Sequence, residues 1–109
     1  MKIVINHCYG GFGLSEKAME MFAELKNTEL KKEGKGVFTF IYAVLNEKNI
    51  FDIDIPRNDL DLVKVVEMLK EEANGESASL VVREIPDDVD WSIQNYDGIE
   101  SIHEVHRIW

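Results

Sequence analysis

Apolar and polar residues alternate with two periods along this chain, and the change of period marks out the elements. Lys2–Asn6 (KIVIN) is a short apolar run closing on polar residues, which predicts a strand. From Ser15 onward the spacing turns helical. Ala18, Met21, Phe22 and Leu25 form one stripe, with Ser15 as N-cap and Leu14 and Met19 at the positions of a hydrophobic staple. The polar stretch 26–35, closed by Gly34 and Gly36, predicts a helix that frays into a loop.

Val37–Leu45 (VFTFIYAVL) is rich in β-branched and aromatic residues and apolar on both faces, so a central strand is expected. Residues 46–49 read as a hairpin turn into Ile50–Ile55, where Asp52 and Asp54 alternate with apolar neighbours until Pro56. The second helix has the fullest set of signals. Asn58 or Asp59 caps it, Asp61 lies in its first turn, and Asn74-Gly75 ends it. Leu62, Val65, Val66, Leu69 and Ala73 make its inner face, and Lys64, Glu67, Lys70 and Glu71 its solvated one. Leu80–Ile85 is a further strand before Pro86. Trp91–Gln94, Tyr96-Asp97-Gly98 and Glu100–Ile108 predict a closing hairpin. The spacing of Ile99, Ile102 and Val105 leaves a terminal helix as the competing reading. The expected fold is α+β, a two-layer α/β domain over residues 1–109. It has a mixed β-sheet, two helices and the order β-α-β-β-α-β-β-β.

Charge narrows the partners. Twelve basic against twenty-one acidic residues leave a net −9, the opposite of a nucleic-acid footprint. Direct nucleic-acid binding is therefore not expected, whereas a basic protein surface is an eligible partner. No apolar run is long enough to span a bilayer, and a single basic residue before a four-residue apolar stretch does not make a signal peptide. Neither a membrane nor a cofactor is expected. One cysteine, Cys8, suits a reducing compartment.

The candidate chemistry sits in His7-Cys8-Tyr9-Gly10-Gly11-Phe12-Gly13-Leu14-Ser15, between the first strand and the first helix. This stretch resembles the H-C-x-x-G-x-x-R-S/T loop of cysteine-dependent phosphatases. There a thiolate attacks phosphorus, backbone N–H groups hold the oxygens, and an arginine clamps two of them. Leu14 occupies the arginine position, so active phosphatase chemistry is not expected. A dinucleotide fingerprint would need glycine at position 16, which is Glu16. Two readings remain for the loop: a tight turn using the glycines' freedom, or a ligand or partner loop offering Tyr9 and Phe12. Cys8 is expected to be an inert buried thiol. A hydrolase pairing Cys8 with a histidine is the alternative. His103-x-x-His106 shares a face only on a helix, so on the favoured strand no metal site is expected. At the C-terminus, His106, Arg107 and Trp109, with Trp91, could grip an anion and stack on a base, or simply pack the last hairpin.

Ile5-Asn6, Cys8-Tyr9-Gly10-Gly11-Phe12, Leu14-Ser15, Tyr96-Asp97-Gly98 and His106-Arg107-x-Trp109 together carry a resemblance. The segments Arg57–Val63 and Glu71–Gly75 extend it. The chain resembles a family of small, mostly uncharacterised proteins of tailed bacteriophages and prophages that begin M-K-I-V-I-N-x-C-Y-G-G-F-x-L-S. That resemblance implies a setting, the cytoplasm of an infected bacterium, and no catalytic residues. The expected function is non-enzymatic binding in host takeover or anti-defence. The partner is either a host defence protein or a nucleotide-type immune signal that the protein sequesters. Candidate contacts are Cys8, Tyr9, Gly10, Gly11, Phe12, Gly13, Trp91, His106, Arg107 and Trp109, and a homodimer or higher homo-oligomer is possible.

Overall fold

The computed structural model describes residues 1–36 and 39–104. The fold is α+β, with two α-helices and seven strands among the described residues. β1 (Lys2–Asn6) is followed by the glycine loop and α1 (Glu16–Leu25). Next come β2 (Leu30–Glu33), β3 (Phe40–Leu45) and β4 (Lys48–Ile50). α2 (Leu60–Leu69) then precedes β5 (Leu80–Glu84), β6 (Ser92–Tyr96) and β7 (Ile99–His103). The strands form three small antiparallel sheets, β1-β5, β2-β3-β4 and β6-β7, where the sequence pattern suggested one mixed sheet.

β1 is the partition of the molecule. Ile3, Val4, Ile5 and Asn6 are all buried, so both faces of this strand have an apolar neighbour. Val4 faces the larger core, built from Ala18, Met19 and Phe22 of α1 and Leu62, Val63, Val65 and Val66 of α2. Ile3 and Ile5 face a second core with Ile85 and Ile102, against which Trp91 and Ile93 pack. The helices thus lie on one side of the β1-β5 ribbon and the β6-β7 hairpin on the other.

Both helix starts follow the expected chemistry. The Ser15 hydroxyl accepts the Ala18 N–H at 3.1 Å. Leu14 and Met19, the staple residues, are both buried in the helical core. Asp59 caps α2 by accepting the N–H groups of Asp61 and Leu62. The α-helix ends sooner than expected. Lys70 takes a positive φ, and a 3₁₀ turn over Lys70–Ala73 carries the chain to Asn74-Gly75, with Ala73 still buried.

Three expectations are corrected. The segment 26–35 is not only a frayed loop: its Leu30–Glu33 portion pairs with β3. Tertiary pairing overrides its polarity, since an edge strand tolerates the exposed lysines of LKKE. Residues 50–55 are not a strand. β4 stops at Ile50, and Asp52–Asp54 make a 3₁₀ turn in which the Asp52 and Asp54 carboxylates accept the N–H groups of Ile53 and Phe51. Aspartate side chains that compete for nearby N–H groups convert apparent alternation into a turn. The turn before β4 is also tighter than expected, with Asn46 and Glu47 at positive φ and pairing resumed at Lys48. The hairpin reading holds for β6-β7, whose Asp97-Gly98 turn has φ of 50° and 96°. The helical alternative is excluded as far as His103, and its remainder lies outside the described residues.

Lys26 couples the two helices. At the C-cap of α1, its ammonium lies 2.8 Å from Asp59 and 3.0 Å from Asp61 in the first turn of α2, and 5.6 Å from the Phe22 ring centroid. Cation and anions thereby sit at the helix ends that favour them. The Asp59 hydrogen bond is the main cause that holds the Lys26 pKa above its usual 10.5. A pKa raised by folding gives stability that is complete below 10.5 and is lost as pH rises through the elevated value. Lys26→Met should therefore lower the unfolding free energy by about 1 kcal/mol at neutral pH. In denaturant titrations the difference from the parent should shrink only in strongly alkaline solution.

Candidate functional site

The glycine loop leaves β1 at Asn6, and Asn6 organises the turns around it. Its side-chain amide nitrogen donates to the carbonyls of Cys8 (2.8 Å) and Gly98 (2.7 Å). Its side-chain oxygen accepts the Ser79 N–H at 2.8 Å. The backbone N–H donates to the Glu100 carboxylate at 2.7 Å. Loop, closing hairpin and the start of β5 therefore meet on one buried amide.

Glu100 is the unexpected member. It points inward beside Ile102, with only 4% of its side chain exposed. Arg57 answers it in a two-pronged pair, its Nη2 donating to Oε2 at 2.9 Å and its Nη1 to Oε1. The same guanidinium lies 3.6 Å from the centroid of the Phe12 ring, and the Arg57 carbonyl accepts the Val4 N–H at 2.9 Å. Phe12 is thus folded back onto Arg57. An arginine does approach the loop, as phosphatase chemistry would require, but it belongs to Glu100.

Three further amides of the loop, those of Gly10, Leu14 and Ser15, are taken by the chain's own groups. Gly10 donates to the Asp97 carbonyl at 3.3 Å. Leu14 donates to the Asp52 carboxylate at 3.1 Å, so a carboxylate already stands at the helix entrance where a phosphate loop would hold its anion. Ser15 donates to Ala73, and Gly75 to Gly13 at 2.9 Å, which zips residues 13–15 against 73–75. Backbones meet so closely that side chains have no room. A Cβ on Gly98 would lie 2.4 Å from the Gly11 nitrogen, and one on Gly75 would lie 2.8 Å from the Gly13 carbonyl carbon.

The other candidates separate. Cys8 is half-buried, and its thiol contacts the Ser77 carbonyl at 3.2 Å and the Asn6 side-chain oxygen at 3.5 Å. His7 is exposed, and His103 Nε2 is hydrogen-bonded to the Ser101 hydroxyl at 2.6 Å on the outer face of β7. Tyr9 stands out at 68% exposure. Trp91 packs against the second core and lines a groove of about 400 Å³ with Asp90, Ser92, Gln94, His103 and Glu104. His106, Arg107 and Trp109 lie outside the described residues, as does half of the His103-x-x-His106 pair. No cluster of three or more metal-ligating side chains occurs among the described residues, and no described helix is long and apolar enough to cross a membrane.

Sequence reasoning missed Asn6, Arg57 and Glu100 as a unit. One signal was present: in Ile99–His103, the inward positions of the hairpin are Glu100 and Ile102, so a carboxylate stands where the pattern asks for an apolar residue. No family model, no curated protein and no solved structure matches this chain.

The closure of the loop is testable with two alanines. Gly11 has φ +98° but open space around its Cβ position, so Gly11→Ala should cost only backbone strain, about 1 kcal/mol. Gly98→Ala adds a backbone overlap to the same strain and should cost about 3 kcal/mol by chemical denaturation.

Proposed function

We propose that this protein is a non-enzymatic binding protein that occupies a positively charged surface of a partner protein. The setting in which it would act, host takeover or anti-defence in the cytoplasm of a phage-infected bacterium, follows the resemblance of its N-terminal motif. The observation that supports the binding reading is a glycine loop tied down at Gly10, Leu14 and Ser15 on a chain of net charge −9. A loop built to sequester a nucleotide would turn its amides and an arginine toward the ligand. In this chain the Gly10, Leu14 and Ser15 amides bond to Asp97, Asp52 and Ala73, and Arg57 bonds to Glu100. An acidic exterior, by contrast, is suited to a basic face, where complementary charge accelerates encounter and selects the partner.

The hydrolase alternative has less support. Both hydrogen-bonding neighbours of the Cys8 sulfur are oxygens, and neither is a cation that would favour a thiolate.

Affinity capture from infected cells at low ionic strength, read by native mass spectrometry, tests the proposal. A stoichiometric complex with a basic host protein is expected, released as salt rises from about 0.05 M to about 0.5 M and screening shortens from roughly 14 Å to roughly 4 Å. Cys8→Ser should leave that complex unchanged. A retained nucleotide without a protein partner would contradict the proposal, and so would capture abolished by Cys8→Ser.

A further inference from the structure

Three loops converge at one end of the molecule. The Gly10 N–H bonds to Asp97 of the β6-β7 turn, Gly98 packs on the nitrogens of Gly10 and Gly11, and Ser77 lies against Gly10 and Cys8. Each of the first two loops carries an exposed tyrosine at this junction, Tyr9 at 68% and Tyr96 at 73% exposure. The Gly10–Asp97 hydrogen bond and standard backbone dimensions keep their Cα atoms within about 12 Å of each other. The third loop adds Glu76 and the second adds Asp97, both exposed. Residues 7–13, 74–79 and 94–100 contain no lysine or arginine. Arg57, which reaches Phe12 of the first loop from outside these segments, is held by Glu100.

Two observations set this end apart from general surface charge. Tyrosine offers a large contact area with few rotatable bonds, and it contributes strongly to binding when mounted rigidly. The mounting is rigid: Asn6 ties the Cys8 and Gly98 carbonyls together, and glycine backbones pack without side chains between them. The ordering that binding would otherwise require is therefore already done by the fold. Exposed tyrosines on loops that carry carboxylates and no lysine or arginine of their own match one side chain best. Arginine can stack its guanidinium on a tyrosine ring while donating to a carboxylate, as Arg57 does internally between Phe12 and Glu100.

We infer that the Tyr9–Tyr96 end, with Glu76 and Asp97, is the docking surface for an arginine-bearing segment of the partner protein. This inference rests on the reading of the protein as a binder of basic surfaces. The tyrosines supply stacking platforms, and the two carboxylates hold the guanidinium edges.

The test is an NMR titration of the intact protein with a synthetic deca-arginine peptide at low salt, beside a deca-lysine peptide of equal charge. Saturable shifts centred on residues 8–11, 76–77 and 96–98 are expected, with arginine bound more tightly than lysine. Tyr9→Ala and Tyr96→Ala should each weaken binding about 5- to 10-fold, while Tyr9→Phe retains it. Unchanged amide spectra away from this end would establish that the variants are folded. If arginine binds with shifts spread over the acidic surface and with no effect of either tyrosine, the docking surface is overturned while the binding of basic surfaces stands. If neither peptide binds, the functional reading itself fails. If the tyrosines bury against a second copy, as concentration-dependent association abolished by Tyr96→Ala would reveal, the inference is also overturned.

Discussion

A carboxylate inside an apolar core must be answered by a cation and by hydrogen bonds, or the chain folds some other way. Glu100 imposes that demand on this protein, and Arg57 and the Asn6 backbone N–H meet it. The residues that answer it come from distant parts of the chain. Asn6 ends the first strand, Arg57 precedes the second helix, and Glu100 belongs to the last hairpin. Satisfying one buried charge therefore fixes the hairpin against β1, the connector before α2 against β1, and Phe12 of the loop beneath Arg57. The two apolar cores lie on opposite faces of β1, and neither alone dictates how the loop and the closing hairpin meet. The polar joint does.

Much of this architecture is legible in the sequence because it obeys local rules. The helix starts at Ser15 and Asp59, the buried Leu14–Met19 staple, the strand at Lys2–Asn6 and the Asp97-Gly98 hairpin all arise from side-chain chemistry within a few residues. Where reading fails, a partner distant in sequence or a side chain that competes for local N–H groups decides. LKKE becomes a strand because β3 is available to pair with it, and IFDIDI turns because its aspartates capture nearby N–H groups and the Leu14 N–H. The loop is legible as glycine-rich, but its closure depends on Asp52, Asp97, Ala73 and Gly98, which no local window contains. Only the misfit of Glu100 among inward positions hints at the joint.

For function, the closed loop changes what the opening motif means. Its glycines allow backbone to lie on backbone, and Tyr9 stands exposed on it. A segment that resembles a catalytic cradle in one dimension is, in three, a loop that carries an exposed tyrosine and is hydrogen-bonded to the hairpin turn that follows a second one. Rigid support, acidic surroundings and exposed aromatic area belong to recognition more than to bond-making, and the proposed role rests on that combination.

The central claim, that the Arg57–Glu100 pair is the joint on which loop and hairpin depend, is most directly tested by the unfolding free energy of Arg57→Met at neutral pH. Leaving Glu100 buried without its cation should cost about 3–5 kcal/mol, a large share of the roughly 5–15 kcal/mol available to a domain. A loss below about 1 kcal/mol, the value of an exposed ion pair, would contradict it.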